Sequence, residues 1–291
     1  MNIFLLSIGF GLVTASVLAL AAVGSSLQFG VTNHVNFAYG EFLTLGAYVA
    51  WWSYTGLHLN VWVSFALGVL FVGIVGVVTN WLILRPFVRR GVPLLFLLII
   101  TFGLSLIYSN VILAVWGSDF QSFNLPEERP LWVGPFIFTP DQLGTIAVAV
   151  AAMLGIHLLL TRTKLGKAMR AMSDDPSLAL VSGIDTERVT TWTWLIAGCL
   201  AGVAGISLAL SITSFQPAFG GEFLFVIFSA VILGGIGQPY GAMLGALAIG
   251  LATEMSAVLI GGAYKNDVAF ALLVVMLLLR PQGLIPARGK G

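Results

Sequence analysis

Three short stretches hold the residue types in this chain best suited to chemistry or recognition. The first is "SDDPSLALVSGID", residues 173–185. Asp175 can cap a helix that starts at Pro176, where a missing N–H costs nothing. Gly183 suits the left-handed residue that follows a helix C-cap. The helix between them, 176–182, is about two turns long, roughly 10 Å at 1.5 Å per residue. So short a helix is marginal alone in water, and Leu178, Ala179 and Val181 give it apolar surface to pack. It reads either as a connector between two spans or as an element that docks on a partner. The preceding piece, 165–172, puts Leu165, Met169 and Met172 on one face and Lys164, Lys167 and Arg170 elsewhere.

The second stretch, "VTNHVNFAYGEFLTLGAYVA" (31–50), gathers Asn33, His34, Asn36 and Glu41 at the start of an apolar run. A carboxylate at membrane depth costs about 2.5–3.5 kcal/mol on insertion scales. Glu41 is therefore expected to face protein, water or the membrane boundary. Asn36 and Glu41 belong either to a polar pathway or to a broken helix satisfied locally. The third stretch, "SAVILGGIGQPYGAMLGALAIG" (229–250), clusters Gly234, Gly235 and Gly237 before Gln238-Pro239. Unwound backbone inside a membrane is tolerated only against protein or a water-filled cavity. These glycines are either a re-entrant turn beside a pathway or a tight turn between packed helices. Glu222 and Glu254 are further carboxylates near apolar runs.

Catalytic patterns are thin. His34, His58 and His157 are scattered, with no HExxH and no metal-ligand spacing. Ser207 sits in a small-residue stripe, a poor setting for a nucleophile that needs a base. There is no GxxxxGK[ST], so no P-loop for ATP. No catalytic residue, metal, cofactor or nucleic-acid partner is expected.

The elements that position these residues are membrane helices. Charged residues make up 9% of the 291-residue chain and hydrophobic ones 58%, with a mean hydropathy of +1.01. Soluble domains carry about 25% charged residues. Candidate spans are 3–24, 38–55, 61–84, 92–116, 142–161, 189–211, 223–236, 240–260 and 266–280. The expected fold is an all-α polytopic membrane protein, a single transmembrane domain of about eight spanning helices. Segments 25–37 and 223–236 are interrupted or short, hence broken or re-entrant. Residues 3–24 are read as a retained first span, since no basic residue precedes them. The lone Cys199 offers no disulfide within the chain.

Basic residues cluster at Arg85/Arg89/Arg90, at Arg162/Lys164/Lys167/Arg170 and at Arg280/Arg288/Lys290. Basic loops stay cytoplasmic, which places segment 162–188 and the C-terminus inside. Loop 117–141, with Asp119, Glu127, Glu128 and Asp141, then faces outside, and the parity of the spans agrees. Small residues four apart (Gly198/Gly202, Ala201/Gly205, Gly241/Gly245) favour close helix packing, first within one subunit and second between subunits. Tyr39-Gly40 and Tyr240-Gly241 are a possible trace of an internal repeat.

The stretches 31–50, "KLGKAMRAMSDDPSLALVSGIDTERV", "AVILGGIGQPYGAMLGALAIG" and "YKNDVAFALLVVMLLLRPQGL" together resemble the high-affinity branched-chain amino-acid ABC transporter permeases. The likeness runs nearly end to end. "NFAYGEF" resembles the first of the two permease subunits in such systems, and urea and short-amide permeases share these motifs. The resemblance implies an inner-membrane permease working with a second permease, two ATP-binding subunits and an extracytoplasmic solute-binding protein, and passing a small polar solute. It also implies an ATPase-coupling role for Asp175, Pro176, Leu178, Ala179, Val181 and Gly183. Of the EAA-three-residues-G pattern of ABC permeases, only Ala179 and Gly183 are kept. From the residue reading above, Asn36, Glu41, Gly234, Gly235 and Gly237 are the candidates for a translocation pathway. A stand-alone channel for small neutral solutes is the other transport reading.

Overall fold

A computed structural model describes residues 3–125, 129–134, 136–212, 214–280 and 282–285. Glu127, Glu128, Arg288 and Lys290 lie outside the described residues. The helices, in chain order, begin with α1 (Ile3–Thr32), α2 (Tyr39–Thr55) and α3 (Val61–Thr79). A π-helical turn (Asn80–Leu84) carries α3 into α4 (Arg85–Arg89), and α5 (Leu94–Trp116) follows. A small antiparallel hairpin, β1 (Leu131–Val133) and β2 (Phe136–Phe138), precedes α6 (Pro140–Arg162). Two short helices, α7 (Lys164–Asp174) and α8 (Pro176–Val181), lead to α9 (Thr186–Ser211). Then come α10 (Phe219–Gly234), α11 (Pro239–Ile260) and α12 (Lys265–Leu279). Among the described residues, seven helices are long and apolar enough to cross a membrane, and α10 is a shorter apolar helix.

Local chemistry sets several starts. Asn60 Oδ1 accepts from the Trp62 amide at 2.9 Å, which satisfies one of the orphan donors at the α3 N-terminus. Thr139 and Gln142 form a reciprocal capping box on α6, and Asp185 caps α9 through the Arg188 amide at 3.0 Å.

The most apolar stretches of α1 and α9 are 67% buried, against 22% for α5 and α6. Thus α1 and α9 form the centre, packed with α2, α3 and α11, while α5, α6 and α12 lie outside. Glycine makes the central contacts close. A Cβ on Gly205 would collide with the Leu43 backbone, one on Gly202 would sit 3.0 Å from the Val69 Cα, and one on Gly245 would strike the Ala230 carbonyl. The small-residue stripes therefore serve packing within the chain.

The bundle has two distinct ends. At one end, which carries residues 117–125 and the strands β1 and β2, the Trp51 indole donates to the Ser122 carbonyl at 2.9 Å. There too Gln121 and Phe215 exchange backbone bonds at 2.9 Å, and Gly9 lies against Phe136 and Phe138. The opposite, basic end holds Arg85, Arg89, Arg162 and the α7–α8 pair, and there Gly30 approaches Gly237 and Ser173. Helix α1 thus runs from the loop end to the basic end, and α9 runs the other way.

Each of these long helices breaks into a short partner. The break after α1 is confined to residues 33–38, not 25–37, because Gly24 and Gly30 are close-approach positions inside a continuous helix. The matching break, 212–218, precedes α10, which starts at Phe219 and so earlier than expected. Ala38 and Ala218 adopt nearly the same backbone (φ −72°, ψ −3° and φ −87°, ψ −8°). The Tyr39 amide donates to the Asn36 carbonyl at 3.3 Å, and the Phe219 amide to the Gln216 carbonyl at 3.1 Å. The counterpart of Tyr39-Gly40 is therefore Phe219-Gly220. Tyr240-Gly241 instead lies in the first turn of an unbroken helix, α11.

Candidate functional site

Helix α8 is built as the spacing of its residues predicts. Asp175 Oδ1 accepts from the Ser177 amide (2.8 Å), the Leu178 amide (3.0 Å) and the Ser177 hydroxyl (2.7 Å). These donors, the Leu178 amide first, hold the Asp175 carboxyl below its ordinary range. Pro176 occupies the first turn. At the other end Gly183 takes φ +84°. Its amide donates to the Leu180 carbonyl (3.0 Å), and the Ile184 amide donates to the Ala179 carbonyl (3.1 Å). This is a Schellman closure, which needs a left-handed residue at that position.

The faces of α8 are unequal. Ala179 is buried against the chain's own core, whereas Leu178, Leu180 and Val181 are 65%, 61% and 85% exposed. Leu180, which the motif reasoning passed over, belongs to this apolar face, and Ala179 holds the helix down. Beneath, α7 buries Met169 and Met172, as its amphipathic pattern requires. Beside α8 a cavity of about 510 Å³ is lined by Arg85, Arg89 and Glu187 among others. Both arginines grip the Glu187 carboxylate, Arg89 Nε at 2.8 Å.

A polar junction lies where α2, α5 and α10 converge. Asn36 is buried, with Oδ1 accepting from the Ala38 amide (3.0 Å) and Nδ2 donating to Gln28 Oε1 (3.3 Å). It shapes the break locally. Glu41 is buried in the first turn of α2, and its Oε1 accepts from the Ser105 hydroxyl at 3.3 Å. Among the described residues its Oε2 has no partner, nor do Thr44 Oγ1 and Tyr48 OH further along the helix. Gly221 of α10 lies beside the same carboxyl, while Glu222 is exposed and accepts weakly from Gln216 Nε2 at 3.4 Å.

The glycine cluster 234–237 is not at this junction. Gly234 and Gly241 press together so closely that a Cβ on either would strike the other's carbonyl. Gly235 and Gly237 take φ +113° and +78° in a packed turn between α10 and α11. Residues 284 and 285 staple this turn: the Leu284 amide donates to the Leu233 carbonyl (2.9 Å) and the Ile285 amide to the Gly234 carbonyl (3.0 Å). The turn sits at the basic end, beside Gly30 of α1. Ser207 lies in the last turns of α9 at the loop end. His157 is in α6 toward the basic end, its Nδ1 3.0 Å from the Tyr240 hydroxyl, so the two do not meet. Among the described residues no three His, Cys, Asp or Glu side chains cluster.

Sequence reasoning missed the role of Phe219-Gly220. A signal was present: Ala38-Tyr39-Gly40-Glu41-Phe42 recurs as Ala218-Phe219-Gly220-Gly221-Glu222-Phe223, one glycine longer.

Fold and site together define an almost entirely helical polytopic membrane protein, built on two opposed units that each join a long helix through a break to a shorter one. The model of the family described as branched-chain amino acid transport system / permease component matches residues 7–278, and the chain belongs to that family. It is similar to the high-affinity branched-chain amino acid transport system permease protein BraD of Pseudomonas aeruginosa, 30% identical, with 94% of this chain and 93% of that protein covered. It is also similar to the probable branched-chain amino acid transport permease protein LivH of Methanocaldococcus jannaschii, 32% identical over 94% of this chain and 90% of that one. Among solved structures, PsaBC from Streptococcus pneumoniae in complex with Fab shares the fold, with a TM-score of 0.50 and 14% identity over 97% of this chain and 91% of that one.

Proposed function

We propose that this chain is one of two permeases in an ATP-driven importer of branched-chain amino acids, with α8 as the element an ATP-binding subunit grips. The carrying observation is the apolar face of Leu178, Leu180 and Val181, presented on a helix capped at both ends. Apolar side chains so exposed on a polar segment mark an interaction site. Basic residues crowd the same end, which the positive-inside tendency assigns to the cytoplasm of an inner membrane. The loop end then faces an extracytoplasmic solute-binding protein. ATP hydrolysis falls to two partner subunits, and this chain is a transport subunit rather than an enzyme.

The second permease covers the face where α5 and α10 meet. Glu222 on α10 and Asn110 on α5 are exposed. A carboxylate and a carboxamide on membrane helices are tolerated against protein or water, not against lipid. Solute passes along this face when the ATP-binding subunits close and move α6 and α9 through α7–α8.

Val181→Asp puts a charge on the docking face without touching a cap or the core. The expected result is normal insertion with loss of the ATP-binding subunit on gentle purification, and loss of leucine uptake. Uptake and subunit recovery at the wild-type level in that variant would remove α8 from the coupling role.

A further inference from the structure

A second cavity, of about 450 Å³, opens among α1, α6, α9, α10, α11 and α12 at the loop end of the bundle. That volume falls within the ~300–1,000 Å³ typical of small-molecule sites. Its polar focus is an ion pair that the mechanism above does not use. Lys265 Nζ donates to Glu254 Oε1 at 2.8 Å and to Oε2 at 2.7 Å, and the Thr14 hydroxyl donates to Oε1 at 2.9 Å. The Glu254 side chain is only 14% exposed and Lys265 38%. Around them the walls are mixed: Val13, Val17, Leu208, Ile212 and Val226 form an apolar side, and Gln142, Ser211, Thr253 and Asn266 add polar groups.

Both charges keep unused capacity. An ammonium has three N–H donors, and two of Lys265's are engaged. A carboxylate offers about four acceptor sites, of which Glu254 fills three. One base and one acid in contact can thus receive a carboxylate and an ammonium borne on one carbon, with an apolar group seated against the valine and leucine side of the cavity. An ion pair so largely withdrawn from water adds little to stability by itself.

We infer that this cavity is a binding site for a zwitterionic α-amino acid with a branched apolar side chain, its carboxylate on Lys265 and its ammonium on Glu254. The inference rests on the proposed transport function and locates a recognition site for the solute within the permease.

The test uses the full chain with whatever partner subunits co-purify, in nanodiscs and without the solute-binding protein. Radiolabelled L-leucine binding is measured at equilibrium, alongside isovalerate, which lacks the ammonium, and isoamylamine, which lacks the carboxylate. Saturable leucine binding is expected, with neither analogue competing. Lys265→Met and Glu254→Gln should each weaken it about tenfold or more. Val226→Phe, which fills the cavity without touching the ion pair, should do the same. Melting without ligand identifies the variants that fold. Absence of saturable binding to wild type, or undiminished binding in folded Lys265→Met and Val226→Phe, overturns the site, as does binding that follows membrane lipid composition instead of leucine. Leucine uptake by the importer reconstituted with its solute-binding protein is scored separately. Failure there removes the transport reading, whereas uptake without permease binding removes only the site.

Discussion

Gly40 and Gly220 face each other so closely that neither position has room for a side chain. A Cβ on Gly40 would lie 2.6 Å from the Gly220 carbonyl oxygen, and a Cβ on Gly220 would strike the Gly40 carbonyl and the Thr44 hydroxyl. These two glycines let the first turns of α2 and α10 cross, and so bring Glu41 beside Gly221. Gly40→Ala or Gly220→Ala should each cost about 1–3 kcal/mol through overpacking, seen as a lower melting temperature in detergent. Gly103→Ala and Gly144→Ala, where a Cβ meets nothing within 4 Å, should melt no lower than wild type. Equal losses at all four positions would show that the crossing is not what the glycines serve.

The caps of α8 should matter to coupling more than to folding. Asp175→Ala removes the acceptor of three hydrogen bonds, and Gly183→Val forces a branched residue into the left-handed region. Both should lower ATP-dependent uptake while membrane insertion stays normal, and Asp175→Asn, which keeps an acceptor oxygen, should retain most of it. The Asp175 carboxyl is held below its ordinary range. Its capping contribution is therefore present above the unfolded-state value and lost only as pH falls through the lower folded one. Uptake by Asp175→Asn relative to wild type should then stay level from about pH 6 to 8, well above the ordinary aspartate range. A rising ratio as pH falls within that window would mean the carboxyl titrates there.

Glu187 ties α4 to the start of α9 through Arg85 and Arg89, just past the π-helical turn of Asn80–Leu84. The contacts are solvent-exposed, and such pairs add little to stability and are screened by salt. Glu187→Gln should leave the melting temperature nearly unchanged. It should also remove much of the salt dependence of uptake over about 0.05–0.5 M, the range in which exposed pairs are screened. Salt dependence identical to wild type would dissociate this clamp from transport.

Orientation has a direct chemical readout because the chain contains a single cysteine, Cys199. In a Cys199→Ser background, Trp132→Cys should react with a membrane-impermeant maleimide applied to intact cells, and Leu178→Cys should react only after lysis. Both residues are well exposed. The opposite pattern would invert the assignment of the two ends.

Much of this was legible in the residues. The Asp175-Pro176 start and Gly183 stop of α8 were readable because caps and left-handed turns are local and tied to residue type. The spans were readable because hydrocarbon demands long apolar runs. The crossing of α2 and α10 was less so. Its glycines lie 180 residues apart, and the one-residue insertion at Gly221 offsets the repeated motif. Gly234, Gly235 and Gly237 show the converse limit: glycine serves a tight turn and a pathway lining equally well in sequence, and the contacts with Gly241 and Ile285 mark a turn. The pairing of Glu254 with Lys265 was invisible because it depends on how the chain reverses between α11 and α12.

The staple that joins Leu284 to Leu233 and Ile285 to Gly234 also imposes an order in time. The turn between α10 and α11 is translated some fifty residues before the tail that fastens it. Until that tail emerges, the two carbonyls must be satisfied by something else. Emergence of Leu284 and Ile285 is thus itself a folding event: a ribosome that stops short of Leu284 releases a bundle whose last helices are present but unlatched.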